Sequence, residues 1–326
     1  MKSGSKVLVT GSTGLIGANL VKKLLALDTN IKATYHIRPP IIIDDRIEYI
    51  RCDLTNFEDC KKIVKDVDYV FMCAANTSGA AAIARNPMQH VTSNIVMNSQ
   101  MLEAAYLAFV EKFIWISSSV VYSPSDDVPV KESEFLQSDP YESYYTSGWM
   151  KRYTEVLCRT YSEKLQRRMP CVVIRPSNVY GPYDKFDFET SHAAAALIRR
   201  VVERQDPIIV WGDGNDVRDL VFVDDLVEAI LLAAQKIASY DPVNVGLGKG
   251  YTIRSILEAL IEIDDYKNAR ILFDPSKPST IPIRLLNIEK AKNILGFYPK
   301  VDIFEGLRKT LKWYRESRSQ RSLDLN

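Results

Sequence analysis

Short apolar runs alternate with segments of helical period through the first half of the chain. Runs at 6–10, 31–35, 47–51, 69–74, 112–117 and 170–175 predict strands, and 14–27, 57–65, 95–109 and 148–167 predict helices between them. VFMCAA and CVVI are apolar on both faces, as strands inside a covered parallel sheet are. Strands alternating with helices imply crossover connections, hence an α/β fold with a parallel sheet between two helical layers. Beyond Arg175 the pattern breaks into Pro- and Gly-punctuated pieces, RPSNVYGPY, WGDGNDVRD and DPSKPSTIPIR, joining helices predicted at 193–204, 224–236, 252–263 and 303–316. The expectation is a sheet domain over 1–175, with part of 208–250 returning to the sheet. Residues 176–326 would form most of a smaller domain folded over the sheet's carboxyl edge.

Composition narrows the classes. With 326 residues, 46% hydrophobic, the chain can bury a large core. A net charge of +1 lacks the basic excess of a nucleic-acid or membrane-surface protein. No apolar run reaches the ~18–20 residues of a membrane span. Cys52, Cys60, Cys73, Cys158 and Cys171 are odd in number and form no CxxC pair, so neither a disulfide framework nor a metal site is expected. Cys73 and Cys171 read as small core residues. A reducing cytoplasm suits this usage, and MKSGSKVLVTG enters a strand too soon for a leader. The basic cluster at 315–321 reads as a frayed end.

VLVTGSTGLIGANLVKKLL reads as strand, glycine turn, helix. Gly11, Gly14 and Gly17, with Ser12, Thr13, Leu15 and Ile16 between them, suit a turn whose backbone approaches a pyrophosphate, with the helix N-terminus supplying N–H donors. The GxxGxxG spacing is one residue longer than the usual dinucleotide turn. The second strand ends in Ala33-Thr34-Tyr35-His36-Ile37-Arg38, without the carboxylate that takes the ribose 2′-hydroxyl of NAD. His36 and Arg38 would suit a 2′-phosphate, which favours NADP, with NAD possible; Arg38 as a solvated loop cation is the alternative. Asp53 and Leu54 are candidates for holding the adenine, or Asp53 is a helix cap.

GSTGLIG, Asp53-Leu54, Ala74-Ala75, Asn94, SSSVVY and RPSNVYGP occur in the order seen in the extended short-chain dehydrogenase/reductases, the NAD-dependent epimerase/dehydratase family, which the chain resembles over essentially its whole length. NVYGPYDKFDFETSH, VWGDGNDVRDLVFVDDL and KPSTIPIRLLN followed by LGFYP most resemble the GDP-L-fucose synthase branch. The resemblance implies a Rossmann-like doubly wound parallel sheet with a smaller C-terminal substrate domain. It also implies an NADP-dependent reductase or epimerase of a nucleotide-linked, GDP-bearing keto-deoxy sugar. Such chemistry needs a hydride carrier, a proton donor at the carbonyl oxygen and acid/base groups beside the α-carbons.

By resemblance, Ser118 and Ser119 would bind sugar oxygens, Lys151 the nicotinamide ribose, and His192 would be an acid/base group. Ala74, Ala75 and Asn94 would lie beside the cofactor, and Asn178 near both it and the reacting sugar. Arg218 and Arg284 would contact the diphosphate, with Arg200 and Lys277 as further cations and Trp211 against the nucleotide. Helices 95–109 and 148–167 are those the family packs into a homodimer, with Met97, Met101, Leu102 and Trp149 as apolar contacts.

Two positions depart from the pattern. The family's tyrosine four residues before the lysine is Ser147 here, so Tyr144 or Tyr145 is the candidate phenol, or both are loop or interface aromatics. Val120 stands where the synthases carry a cysteine base, and valine moves no proton. Two further readings therefore stay open: an epimerase that holds NAD(P) tightly and oxidises transiently, and a catalytically silent NAD(P)- and nucleotide-sugar-binding protein.

Overall fold

The computed structural model describes residues 1–77, 79, 85–125, 127–277 and 281–324. Its centre is a seven-stranded parallel sheet in the order β10-β6-β5-β4-β1-β2-β3. The strands are β1 (Ser5–Thr10), β2 (Thr29–Tyr35), β3 (Ile47–Arg51), β4 (Tyr69–Met72), β5 (Lys112–Ile116), β6 (Cys171–Pro176) and β10 (Asp241–Val245). All six predicted strands are present with ends moved by one or two residues. β10 lies within the 208–250 stretch expected to return to the sheet, but the pattern marks no strand there, because DPVNV offers a run of only five residues broken by Pro242 and Asn244.

Helices cover both faces because the strands are apolar on both. α1 (Leu15–Leu24) and α6 (Val223–Lys236) bury Leu20, Val21, Leu226 and Ile230 against Val7, Val9 and Phe71. On the other face, α2 (Phe57–Ile63), α3 (Thr92–Leu107) and α4 (Tyr145–Glu163) cover Leu8, Val70, Phe113 and Val173. Each of these fully buried aliphatic side chains contributes ~1.5–3 kcal/mol of burial. Met101 and Leu102, expected at an interface, are fully buried in this second core instead. Their period follows the chain's own sheet.

The strand order reverses between β1 and β4, so the crevice at their carboxyl ends is the switch point where such sheets take ligands. Over that edge lies a second assembly of shorter pieces. β7 (Asn178–Tyr180), β11 (Gly250–Thr252) and β13 (Ile283–Arg284) pair with β9 (Val217–Phe222), and β8 (Ile208–Trp211) pairs with β12 (Ile271–Asp274). α5 (Ala193–Val202), α7 (Ile253–Ile263) and α8 (Ile303–Asp324) enclose a separate core around Ile198, Leu257 and Leu307. α8 continues past its predicted end. Arg315 pairs with Asp264 at 2.6 Å and Arg318 with Glu203 at 3.2 Å, so these members of the basic cluster are helix-borne ion pairs and not a frayed end.

Candidate functional site

A cleft of about 340 Å³ opens at the switch point, walled by the sheet's carboxyl edge on one side and by β9, α5 and β13 on the other. The glycine turn forms its floor. Gly11 has φ +63°, and a side chain there would meet the Ala74 backbone at 2.7 Å, so glycine lets β1 and β4 close together at the crevice. A side chain on Gly17 would strike the Gly11 carbonyl. Gly14 faces open space, with only the Gly11 carbonyl oxygen within 4 Å of a Cβ placed there. It also begins α1 with no side-chain cap, leaving the helix's first N–H groups for an anion. Gly14, Leu15 and Ile16 line the cleft, while Ser12 is tied back through its N and Oγ to the Thr34 carbonyl, at 3.0 and 2.9 Å. Thr13 is buried beside it. The residues present fit a dinucleotide pyrophosphate.

At the end of β2, Arg38 is exposed. His36 is exposed too and faces Asp53 at 3.9 Å. Asp53 is itself engaged by the backbone N–H and hydroxyl of Thr55, at 2.9 and 2.7 Å, and these bonds hold its carboxyl below the ordinary range. Asn56, not Asp53, caps α2. Leu54 is buried among Cys60, Val64 and their neighbours. Beyond β4, Ala74 and Ala75 line the cleft, and Asn94 clamps that segment by accepting from Asn76 N at 2.8 Å and donating to its carbonyl at 2.9 Å.

On the wall formed by β5 and α4, Lys151 Nζ donates to the Ile116 carbonyl at 3.1 Å and lies 4.8 Å from the Trp115 ring centre. Burial lowers its pKa to about 8, against a smaller opposing pull from Glu155. Glu155, one turn on, is fully buried; it takes Arg175 at 2.5 Å and the Ser117 hydroxyl at 2.6 Å. Gly148 explains how α4 comes this close: a Cβ there would meet Pro140 at 2.5 Å and the Val120 carbonyl at 2.7 Å. Ser118 and Ser119 line the cleft; Ser118 Oγ accepts from Val120 N at 3.3 Å and keeps its own proton to donate.

The start of α4 separates the two candidate phenols. Tyr144 precedes its first residue and lines the cleft with Lys151, Ser118 and His192, whereas Tyr145 is exposed and lies outside the lining. Ser147 is buried, also outside the lining, and donates its hydroxyl to the Tyr144 carbonyl at 3.1 Å.

From the opposite wall come Asn178, His192, Arg218 and Arg284. Arg218 is held by Asp216 at 3.0 Å. Arg284 is 2% exposed; it donates to the Ser123 carbonyl at 3.2 Å, and its Nε and Nη2 are buried with no partner among the described residues. Burial above all, with the charge of Arg218 adding to it, lowers its pKa to about 10. A buried guanidinium with two unused donors is costly unless an anion arrives. Three other predicted substrate residues are not brought here. Arg200 donates to the Ile209 carbonyl on β8, Trp211 is 40% exposed at the end of that strand, and Lys277 is on the surface. Residues 278–280 of the KPSTIPIR segment lie outside the described residues. Asp184, Lys185 and Thr77 line the cleft without having been predicted. Asp184 and Lys185 lie in the segment that carries His192, and an acid eight residues before the histidine was the available signal.

A doubly wound parallel sheet with a glycine turn at its switch point and a cleft beside it defines a Rossmann-like dinucleotide-binding protein. Residues 7–246 match the NAD dependent epimerase/dehydratase family, and the chain belongs to that family. It is 29% identical to a putative GDP-L-fucose synthase 2 of Arabidopsis thaliana, over 97% of this chain and 96% of the relative. It is 28% identical to a GDP-mannose 3,5-epimerase of the same plant, over 95% of this chain and 82% of the relative. Among solved structures, a UDP-glucuronic acid 4-epimerase of Bacillus cereus in complex with UDP-glucuronic acid and NAD superposes with a TM-score of 0.84. That likeness is at 28% identity and covers 96% of this chain and 99% of the other.

Proposed function

We propose that this chain is an NADP-dependent reductase or epimerase of a nucleotide-linked keto-deoxy sugar, GDP-bearing as in the fucose synthases it resembles. The observation that carries this reading is Arg284: a buried cation with two donors unpartnered among the described residues, beside Arg218 and in the same cleft as Lys151, Tyr144 and His192. A diphosphate supplies the missing acceptors. The dinucleotide, when bound, carries hydride to or from the sugar. Residues 1–175 with α6 and β10 would hold it, and the remainder would bind the sugar nucleotide.

The chain's own residues then have distinct tasks. Gly14, Leu15 and Ile16 receive the pyrophosphate at the open N-terminus of α1. Lys151 orients the nicotinamide ribose from its seat on the Ile116 carbonyl. Ser118 donates to the oxygen on the sugar carbon that gains or loses hydride, and Tyr144 exchanges the proton at that oxygen. His192 moves a proton at an adjacent carbon. Val120 leaves only one such acid/base group, which supports a plain reduction or a single epimerisation over a double one. The absence of an acid after Tyr35, with Arg38 exposed there and Asp53 engaged by Thr55, supports NADP over NAD. Trp149, Tyr153 and Val156, exposed on α4, support a homodimer through that face.

Incubation with NADPH and a GDP-4-keto-6-deoxyhexose, alongside the UDP-linked equivalent, tests the proposal. NADPH oxidation or a change of isomer with the GDP sugar is expected. Neither change, with tight binding of both ligands, would leave the silent binding protein standing; a cofactor that co-purifies and survives dialysis would favour transient oxidation.

A further inference from the structure

The segment between β7 and α5 carries a buried acid that no task above uses. Asp184 has a side chain only 2% exposed, yet it lines the cleft. Its Oδ1 faces His192 Nδ1 at 3.2 Å and accepts from Lys185 N at 2.8 Å. Its Oδ2 is buried with no partner among the described residues. The neighbourhood holds this carboxylate in place. Lys185 Nζ reaches across to the Thr77 carbonyl at 2.6 Å, and Arg199 donates to the Phe186 carbonyl at 2.8 Å.

We infer that Asp184 is a positioning residue: it fixes the His192 ring with its proton on Nδ1, so that Nε2 is left to take up or give a proton in the cleft. A neutral imidazole carries one N–H, and the partner of one nitrogen decides the role of the other. With Oδ1 on Nδ1, the acceptor lone pair falls on Nε2. His192 caps α5 through its backbone, which fixes where the ring starts, while its side chain is 40% exposed and would otherwise turn freely. The carboxylate supplies what the cap does not, one ring orientation and one tautomer. The unpartnered Oδ2 argues that this acid is kept for the cleft, since an ion pair serving stability alone would use both oxygens.

This inference rests on His192 as the acid/base group proposed above, and its test separates the two. Nitrogen-15 NMR of the full chain, with His192 assigned by its loss in His192→Gln, reads the tautomer without any turnover. The wild-type neutral ring is expected to carry its proton on Nδ1, and Asp184→Ala to move it to Nε2. Asp184→Asn is expected to keep it on Nδ1, because Lys185 N holds the amide oxygen in the Oδ1 place. With a turned-over substrate, kcat falls about 100-fold in Asp184→Ala, while KM moves less than about threefold. A wild-type ring protonated on Nε2, or a tautomer unchanged in Asp184→Ala, overturns the inference; the wild-type result alone decides it if that variant does not fold. The expected tautomers without turnover on any nucleotide sugar would leave the dyad standing and the catalytic reading refuted.

Discussion

Ser147 stands one helical turn before Lys151, and its hydroxyl donates to the Tyr144 carbonyl at 3.1 Å instead of entering the cleft that Lys151 lines. The serine is closed in helix bonding, and the cleft-lining phenol is Tyr144, just before the first residue of the helix and seven positions ahead of the lysine. Tyr144→Phe is therefore expected to lower kcat by about 10²–10⁴, the contribution of a positioned proton donor. Ser147→Ala is expected to leave kcat within about twofold. Steady-state rates of both variants decide it, and loss of turnover in Ser147→Ala with none in Tyr144→Phe would reverse the assignment.

Lys151 ties the site to pH. Burial favours its neutral form and brings the folded-state pKa to about 8, against an ordinary 10.5. Below about 8 the lysine is charged in folded and unfolded chains alike, and the burial penalty is fully present. Between about 8 and 10.5 the unfolded chain holds more protons, so this group makes stability rise with pH. Cofactor affinity should move the other way, falling above about 8 as the charge proposed to bind the ribose is lost. Urea midpoints and cofactor titrations at pH values spanning this window, for wild type and Lys151→Met, check both limbs. The same pH slope of stability in the two proteins would rule the assignment out.

The pattern of the chain carried the sheet and the glycine turn because long apolar runs and a glycine-opened helix are local signals. β7, β11 and β13 have two or three residues each, too few to show a period, and they exist only through their pairing with β9. Motif order also placed Arg218, Arg284 and His192 on one wall of the cleft. It could not say where a side chain turns: Arg200 and Trp211 sit in equally motif-like segments and point elsewhere. Tyr144 and Tyr145 are adjacent in sequence, and what separates them is where α4 begins. Asp184 offered only a weak signal for a related reason, since the histidine it faces is eight residues away in a loop without periodicity.

Glu155 and Arg175 form a buried pair that also takes the Ser117 hydroxyl and, through Arg175, the Tyr122 hydroxyl at 2.9 Å. Removing one member strands the other charge. Arg175→Met is expected to cost about 3–5 kcal/mol, with α4 loosened on β6 and the seat of Lys151 disturbed. The double variant Glu155→Gln, Arg175→Met should recover part of that loss. Chemical denaturation of the single and double variants measures the coupling; additive losses would mean the pair acts independently.

Arg38 is exposed at the end of β2, outside the lining of the cleft. If it faces a 2′-phosphate, Arg38→Ala removes a charge-assisted contact of about 1.5–3 kcal/mol, or roughly 10- to 100-fold in affinity. The loss should fall on NADPH alone and leave NADH binding unchanged. Equal weakening of the two cofactors, or of neither, would return Arg38 to a solvated loop cation.

Arg284 sets stability against binding. Its side chain is buried with Nε and Nη2 unpartnered among the described residues, and Arg218 adds a second positive charge nearby. Without ligand this is an uncompensated cation, and Arg284→Met fills similar volume with no charge to desolvate. The free protein should gain about 1–2 kcal/mol of unfolding free energy. The nucleotide sugar, deprived of a charge-assisted partner for its diphosphate, should bind roughly 10- to 100-fold more weakly. Thermal melts with and without the nucleoside diphosphate read both at once, because a ligand that binds only the folded chain raises its melting temperature by an amount that grows with the logarithm of its affinity. A variant that melts lower than wild type without ligand, yet responds equally to it, would show that Arg284 serves the fold and that the diphosphate sits elsewhere.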